Sequence, residues 1–77
     1  MTPIEHLPGY LADDRGIWST KKGDPALLQV TGRRARRATV KTSHGLVNVW
    51  TAIATTCGVP AARLWQIEFE TETDEEF

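Results

Sequence analysis

The sequence predicts an α+β fold, a small antiparallel sheet (β-β-β-α-β) packed on one central helix. Three observations carry that expectation. The run 43–58, SHGLVNVWTAIATTCG, spaces Leu46, Val49, Trp50, Ile53, Ala54 and Cys57 at three- and four-residue steps, which is one apolar stripe along a helix. Residues 65–70 alternate instead: Trp65, Ile67 and Phe69 are separated by Gln66, Glu68 and Glu70, the period of a strand with one wet face. Between 15 and 42, three short stretches of β-forming residues are divided by turn chemistry.

Taken in order, residues 1–14 carry two prolines and a glycine and read as an irregular arm, pinned to the core by Ile4, Leu7, Tyr10 and Leu11. RGIWSTK (15–21) is the first strand and ALLQVT (26–31) the second, joined by KGDP at 22–25, where glycine supplies positive φ and Asp-Pro starts a turn. ATVKT (38–42) is the third strand. Ser43 then stands where an N-cap hydroxyl accepts from a first-turn amide. Gly58 ends the helix and Pro60 opposes its continuation. VPAARL makes at most a helical turn before the strand at 65–70. The expected organisation is one α+β domain over 1–70 with that arm, and an acidic, frayed tail over 71–77.

The helical half admits a second reading, a helix-turn-helix over 50–67. Ala54 and Gly58 sit where that motif wants a small residue and a turn glycine, and PAARLWQIE becomes the reading helix, with Arg63 and Gln66 toward bases. That helix runs directly into carboxylates that repel phosphate.

LPGY (7–10) followed by DDRGIWS (13–19), then a hairpin, the apolar helix LVNVWTAIATTC and a closing GVP, resembles NUMOD4-type modules, the small domains found beside HNH homing endonucleases. The resemblance spans roughly residues 7–60. It implies a DNA-binding role with Arg15, Lys21 and Lys22 near the ligand. Ile17 stands where the family pattern has a basic residue, the loop at 33–37 is more basic than the pattern, and no HNH segment follows, so no cutting activity is implied.

Charge is strongly polarised. Residues 1–63 hold nine Lys/Arg against four Asp/Glu, whereas 64–77 hold six acids and no base, for a net charge of −1. RRARR at 33–37 puts four guanidiniums within five residues, and Arg33, Arg34, Arg36 and Arg37 with Lys41 form a field that phosphates feel. Extended backbone sends alternate side chains to opposite faces, so only a twisted turn presents all four together. The bland reading of the same run is a solvated loop loosely paired with the acidic tail. Lys21 and Lys22 extend the patch, and Trp18, beside Arg15, offers a stacking surface for a base or a place in the core. Trp50 and Trp65 read as core.

The one cysteine, Cys57, excludes an internal disulfide and lies on the apolar stripe as a buried thiol; with His6 and His44 it lacks the paired spacing of a metal site. No cofactor is implied. His44 has no nucleophile placed for it, so the expectation is not an enzyme. No signal peptide and no membrane-length apolar run is present, which predicts a soluble, cytoplasmic chain with no membrane partner.

The sequence therefore points to a small non-enzymatic nucleic-acid-binding accessory or regulatory protein of the phage or bacterial kind, holding DNA or RNA by phosphate contacts with little sequence specificity. The competing expectation is a protein-binding inhibitor or adaptor that offers Glu68, Glu70, Glu72, Asp74, Glu75 and Glu76 to a basic partner surface. A free edge on the 65–70 strand also allows a homodimer.

Overall fold

The computed structural model describes the backbone of residues 1–75 and the side chains of residues 1–71. The chain is α+β. A four-stranded antiparallel meander comes first: β1 (Thr2–Pro3), β2 (Tyr10–Asp13), β3 (Gly16–Ser19) and β4 (Ala26–Leu27), in that spatial order. A 3₁₀ turn (Ala35–Arg37) leads to a second, two-stranded sheet, β5 (Thr39–Thr42) and β6 (Gly45–Asn48). Two helices close the chain, α1 (Val49–Cys57) and α2 (Val59–Glu75).

The β2–β3 and β5–β6 hairpins are built alike. Each turns through two residues into a glycine, Gly16 at φ 136° and Gly45 at φ 101°. In each, the residue before the turn folds its side chain over the backbone: Asp13 Oδ1 accepts from the Arg15 amide at 2.8 Å, and Thr42 Oγ1 from the His44 amide at 3.0 Å. These short polar side chains fix the turn locally.

Strand alternation sends Tyr10, Ala12 and Ile17 inward, where they meet Val40, Val49, Ile53, Ala62 and Trp65. Ile17, Ile53, Val40 and Val49 are the largest side chains with no solvent exposure, so the core joins both sheets to both helices. Two long-range hydrogen bonds tie the halves: the Ser43 amide donates to Tyr10 Oη at 2.9 Å, and Cys57 Sγ donates to the Ala12 carbonyl at 3.2 Å. Ser43's hydroxyl and amide hold the Tyr10 phenol below its ordinary pKa, with a smaller contribution from the Lys21 ammonium above the ring.

Several expectations about the elements change. The helix begins at Val49 rather than Ser43, because residues 45–48 pair with β5 and Ser43–His44 form the hairpin turn. Leu46, counted as part of the helical stripe, is 71% exposed on β6. The true N-cap is Asn48, whose Oδ1 accepts from the Thr51 amide at 2.9 Å.

The strand at 65–70 is absent, and with it the β-β-β-α-β order; these residues lie within α2. Trp65 and Phe69 are four apart and stack at 5.1 Å between ring centroids, so half of the apparent alternation is an i,i+4 pair. Pro60 does not stop the helical run either. It lies in the first turn of α2, where its missing N–H costs nothing. The arm expected at 1–14 contributes β1 and β2. Of the segment expected as a frayed tail, 71–75 continue α2, while Glu76 lies outside the described residues. Among the described residues no helix is long and apolar enough to cross a membrane.

Candidate nucleic-acid interface

The arginine segment occupies a seven-residue loop, 32–38, whose base is closed by reciprocal backbone bonds: the Thr31 amide donates to the Thr39 carbonyl at 2.8 Å and Thr39 returns the bond at 2.9 Å. Gly32, at φ 120°, lies so near the returning chain that a Cβ there would sit 3.2 Å from Ala38 Cα. Only glycine accepts both the dihedral and the approach without strain.

Two alanines face inward. Ala35 and Ala38 are buried, while Arg33, Arg34, Arg36 and Arg37 are all exposed. The 3₁₀ turn at 35–37 takes the loop off the extended course that would send alternate side chains to opposite faces, and all four arginines are exposed. Arg36 lies over Trp50, with its guanidinium carbon 3.7 Å from the ring centroid. Such a stack engages the flat face of the cation and leaves its in-plane N–H donors directed outward. Trp50 is half-buried and packs against the edge of the core, and its Nε1–H donates to Gln66 Oε1 at 3.0 Å.

Asn48 ties the loop to α1. Its Oδ1 caps the helix while its Nδ2 donates to the Arg36 carbonyl at 2.8 Å, and the next residue, Val49, donates its amide to the Ala38 carbonyl at 3.1 Å. Asn48→Ala removes both side-chain bonds. We expect a loss of about 1 kcal/mol, read as a fall in melting temperature of about 4–8 °C. Asn48→Asp retains the cap but not the donor, and so separates the two contributions.

The other expected site residues divide. Lys41 is exposed on β5, the strand that leaves the arginine loop, and is cross-strand from Leu46. Lys21 and Lys22 are exposed after β3, and Lys21 Nζ stands 5.3 Å from the Tyr10 ring centroid, near the Ser43 end of the β5–β6 hairpin. Trp18 does not join the arginines. It points to the face of the meander opposite Ile17, hence away from α1, and its Nε1–H donates to Asp13 Oδ1 at 3.0 Å. Arg15 is exposed in the β2–β3 turn and lines a groove of about 610 Å³ with Leu27, Leu28, Val30, Trp65 and Phe69.

Glu68 and Glu70 lie on α2, not on a strand edge. At about 100° per residue they diverge by about 160° around the helix. Glu72, Asp74 and Glu75 follow on the same helix, their side chains outside the described residues. His44 is exposed in the hairpin turn, Cys57 is half-buried, and among the described residues no three His, Cys, Asp or Glu side chains converge as metal ligands.

Sequence reasoning singled out the arginines but not Asn48 or the alanine pair that hold their loop. The available signal was the spacing of Ala35 and Ala38: two small apolar residues three apart, inside and just after a basic run, mark an inward side. Comparison with protein-family models, curated proteins and solved structures gives no match.

Proposed function

We propose that this chain is a small non-enzymatic nucleic-acid-binding protein of accessory or regulatory type, working in the cytoplasm, with the 32–38 loop as its contact surface. The observation that carries the reading is the loop itself: four exposed arginines on a turn held at its base, at Ala35 and at Asn48. A held loop loses less side-chain and backbone freedom on meeting phosphates than a free basic tail does. Arg33, Arg34, Arg36 and Arg37 contact phosphates, Lys41 extends the contact along β5, and Lys21 and Lys22 add long-range attraction.

The contacts are to backbone phosphates, so affinity exceeds specificity. The resemblance of residues 7–60 to NUMOD4-type modules supports the same class of ligand. It differs on one point: it puts Arg15 near the ligand, whereas Arg15, in the β2–β3 turn, is left out of the leading contact set here, as is Trp18, whose indole bonds Asp13. The acidic-inhibitor reading loses the strand edge it was built on, because Glu68 and Glu70 lie on α2.

The test is fluorescence anisotropy with labelled duplex and single-stranded DNA and RNA. Four neutralised phosphates give a salt slope near −3.6 on duplex, so affinity falls by about a hundredfold between about 50 and 200 mM salt. Replacing Arg33, Arg34, Arg36 and Arg37 together by alanine is expected to abolish binding while the melting temperature stays within about 8 °C of the parent. Absence of binding at low salt overturns the proposal.

A further inference from the structure

Helix α2 has two apolar stripes on opposite sides. Ala62, Trp65 and Phe69 form the first and pack inward. Leu64 and Ile67 form the second, and they are 55% and 61% exposed. At about 100° per residue they lie about 140–200° around the helix from Ala62, which is the side facing away from the core. Pro60 and Thr71 prolong the same line at four-residue steps, giving the 4-3-4 spacing of a coiled-coil seam. A surface helix of a globular domain ordinarily presents polar side chains there.

The charges on α2 are sorted by end. Arg63 is its sole base and lies in the first half, whereas Glu68, Glu70, Glu72, Asp74 and Glu75 fill the second. Acidic residues at a helix C-terminus add to the negative pole of the macrodipole and weaken the helix. Arg63 and Glu70 flank the exposed seam on the same side, seven residues apart. Glu70 Oε1 accepts from Gln66 Nε2 at 3.2 Å, which leaves the other carboxylate oxygen for a second partner.

An antiparallel copy of α2 answers each of these features. We propose that the protein self-associates into a two-fold dimer through the outer face of α2. Leu64 packs against Ile67 of the second copy, and Arg63 meets Glu70 of the second copy, each contact occurring twice by symmetry. The acidic half of each helix then lies along the positive end of the other. Charge complementarity selects a second copy as the occupant, because the seam matches its own reverse.

A single helix from each side gives an interface below the standard size of about 1,200–2,000 Å², so the dimer dissociates on dilution, with a dissociation constant in the micromolar range or weaker. The inference uses α2 alone and is independent of the arginine loop.

Sedimentation equilibrium of the whole chain, from about 10 µM to about 1 mM, tests it. The expected mass rises from the monomer's 8.6 kDa toward twice that value. Ile67→Glu, at an exposed position that leaves the circular dichroism spectrum unchanged, holds the protein monomeric throughout. Arg63→Glu and Glu70→Arg each raise the dissociation constant at least fivefold, and the double exchange restores it. A monomer at every concentration overturns the proposal. So does a dimer that Ile67→Glu leaves intact, or a double exchange that fails to restore pairing.

Discussion

Trp65→Ala is expected to lower the melting temperature by about 12 °C or more. The indole is 4% exposed, stacks on Phe69, and lies against the β3 backbone, with Nε1 3.7 Å from where a Cβ on Gly16 would stand. It is the largest side chain by which α2 enters the core. Truncating a buried tryptophan forfeits its transfer free energy and leaves a cavity, about 3–5 kcal/mol together. A chain of this length holds only about 4–12 kcal/mol in total, so the substitution removes a large share of stability. Trp65→Phe keeps most of the stack and is expected to cost less than half as much. Thermal denaturation followed by circular dichroism reads both. An unchanged melting point in Trp65→Ala shows that α2 is not docked through this residue.

Gly58→Ala is the second large effect, and its origin is different. Gly58 separates α1 from α2 at φ 102° and ψ 159°, a conformation essentially confined to glycine. The added methyl group meets only Pro60 Cδ, at an ordinary 3.6 Å, so packing contributes nothing to the cost. Backbone strain alone is worth about 1–3 kcal/mol. Straightening at residue 58 would relieve it, and is expected to pull Gln66 away from Trp50 and α2 away from the core. The expected signature is therefore a lower melting temperature with undiminished helical signal at 222 nm. A fall in helicity in step with stability argues instead for global unfolding without the straightened form.

The same glycine shows how far the sequence could be read. Gly58 as a helix stop, the apolar run from Val49 to Cys57, and the strands around Ile17 and Val40 are legible because local chemistry and tertiary structure agree there. Leu46 misled because it lies three residues before Val49, so a strand residue completed a helical stripe by coincidence. Trp65, Ile67 and Phe69 misled because residues four apart satisfy period two as well as a helix face; Ala61, Ala62, Leu64 and Gln66, all good helix formers, weighed the other way. At the site, RRARR was legible as a charge. Its presentation was not, since that rests on Ala35, Ala38 and Gly32 fitting against other parts of the chain. The split between Trp18 and the arginines was equally hidden, because a sheet has two faces and only packing chooses between them.

The strand edges of this protein bear on its behaviour at high concentration. Each outer strand of the meander is two residues long, and β1 contains Pro3, which has no amide to donate. Such edges offer an incoming strand too few bonds to nucleate ordered aggregation. The β5–β6 hairpin is longer and bears Leu46 in the open, but Lys41 stands directly across from it. A cation at that place makes stacking of identical hairpins repulsive, since every added copy brings another ammonium into register. By this argument Lys41 disfavours in-register stacking of the hairpin around its most exposed leucine, whether or not a polyanion is bound.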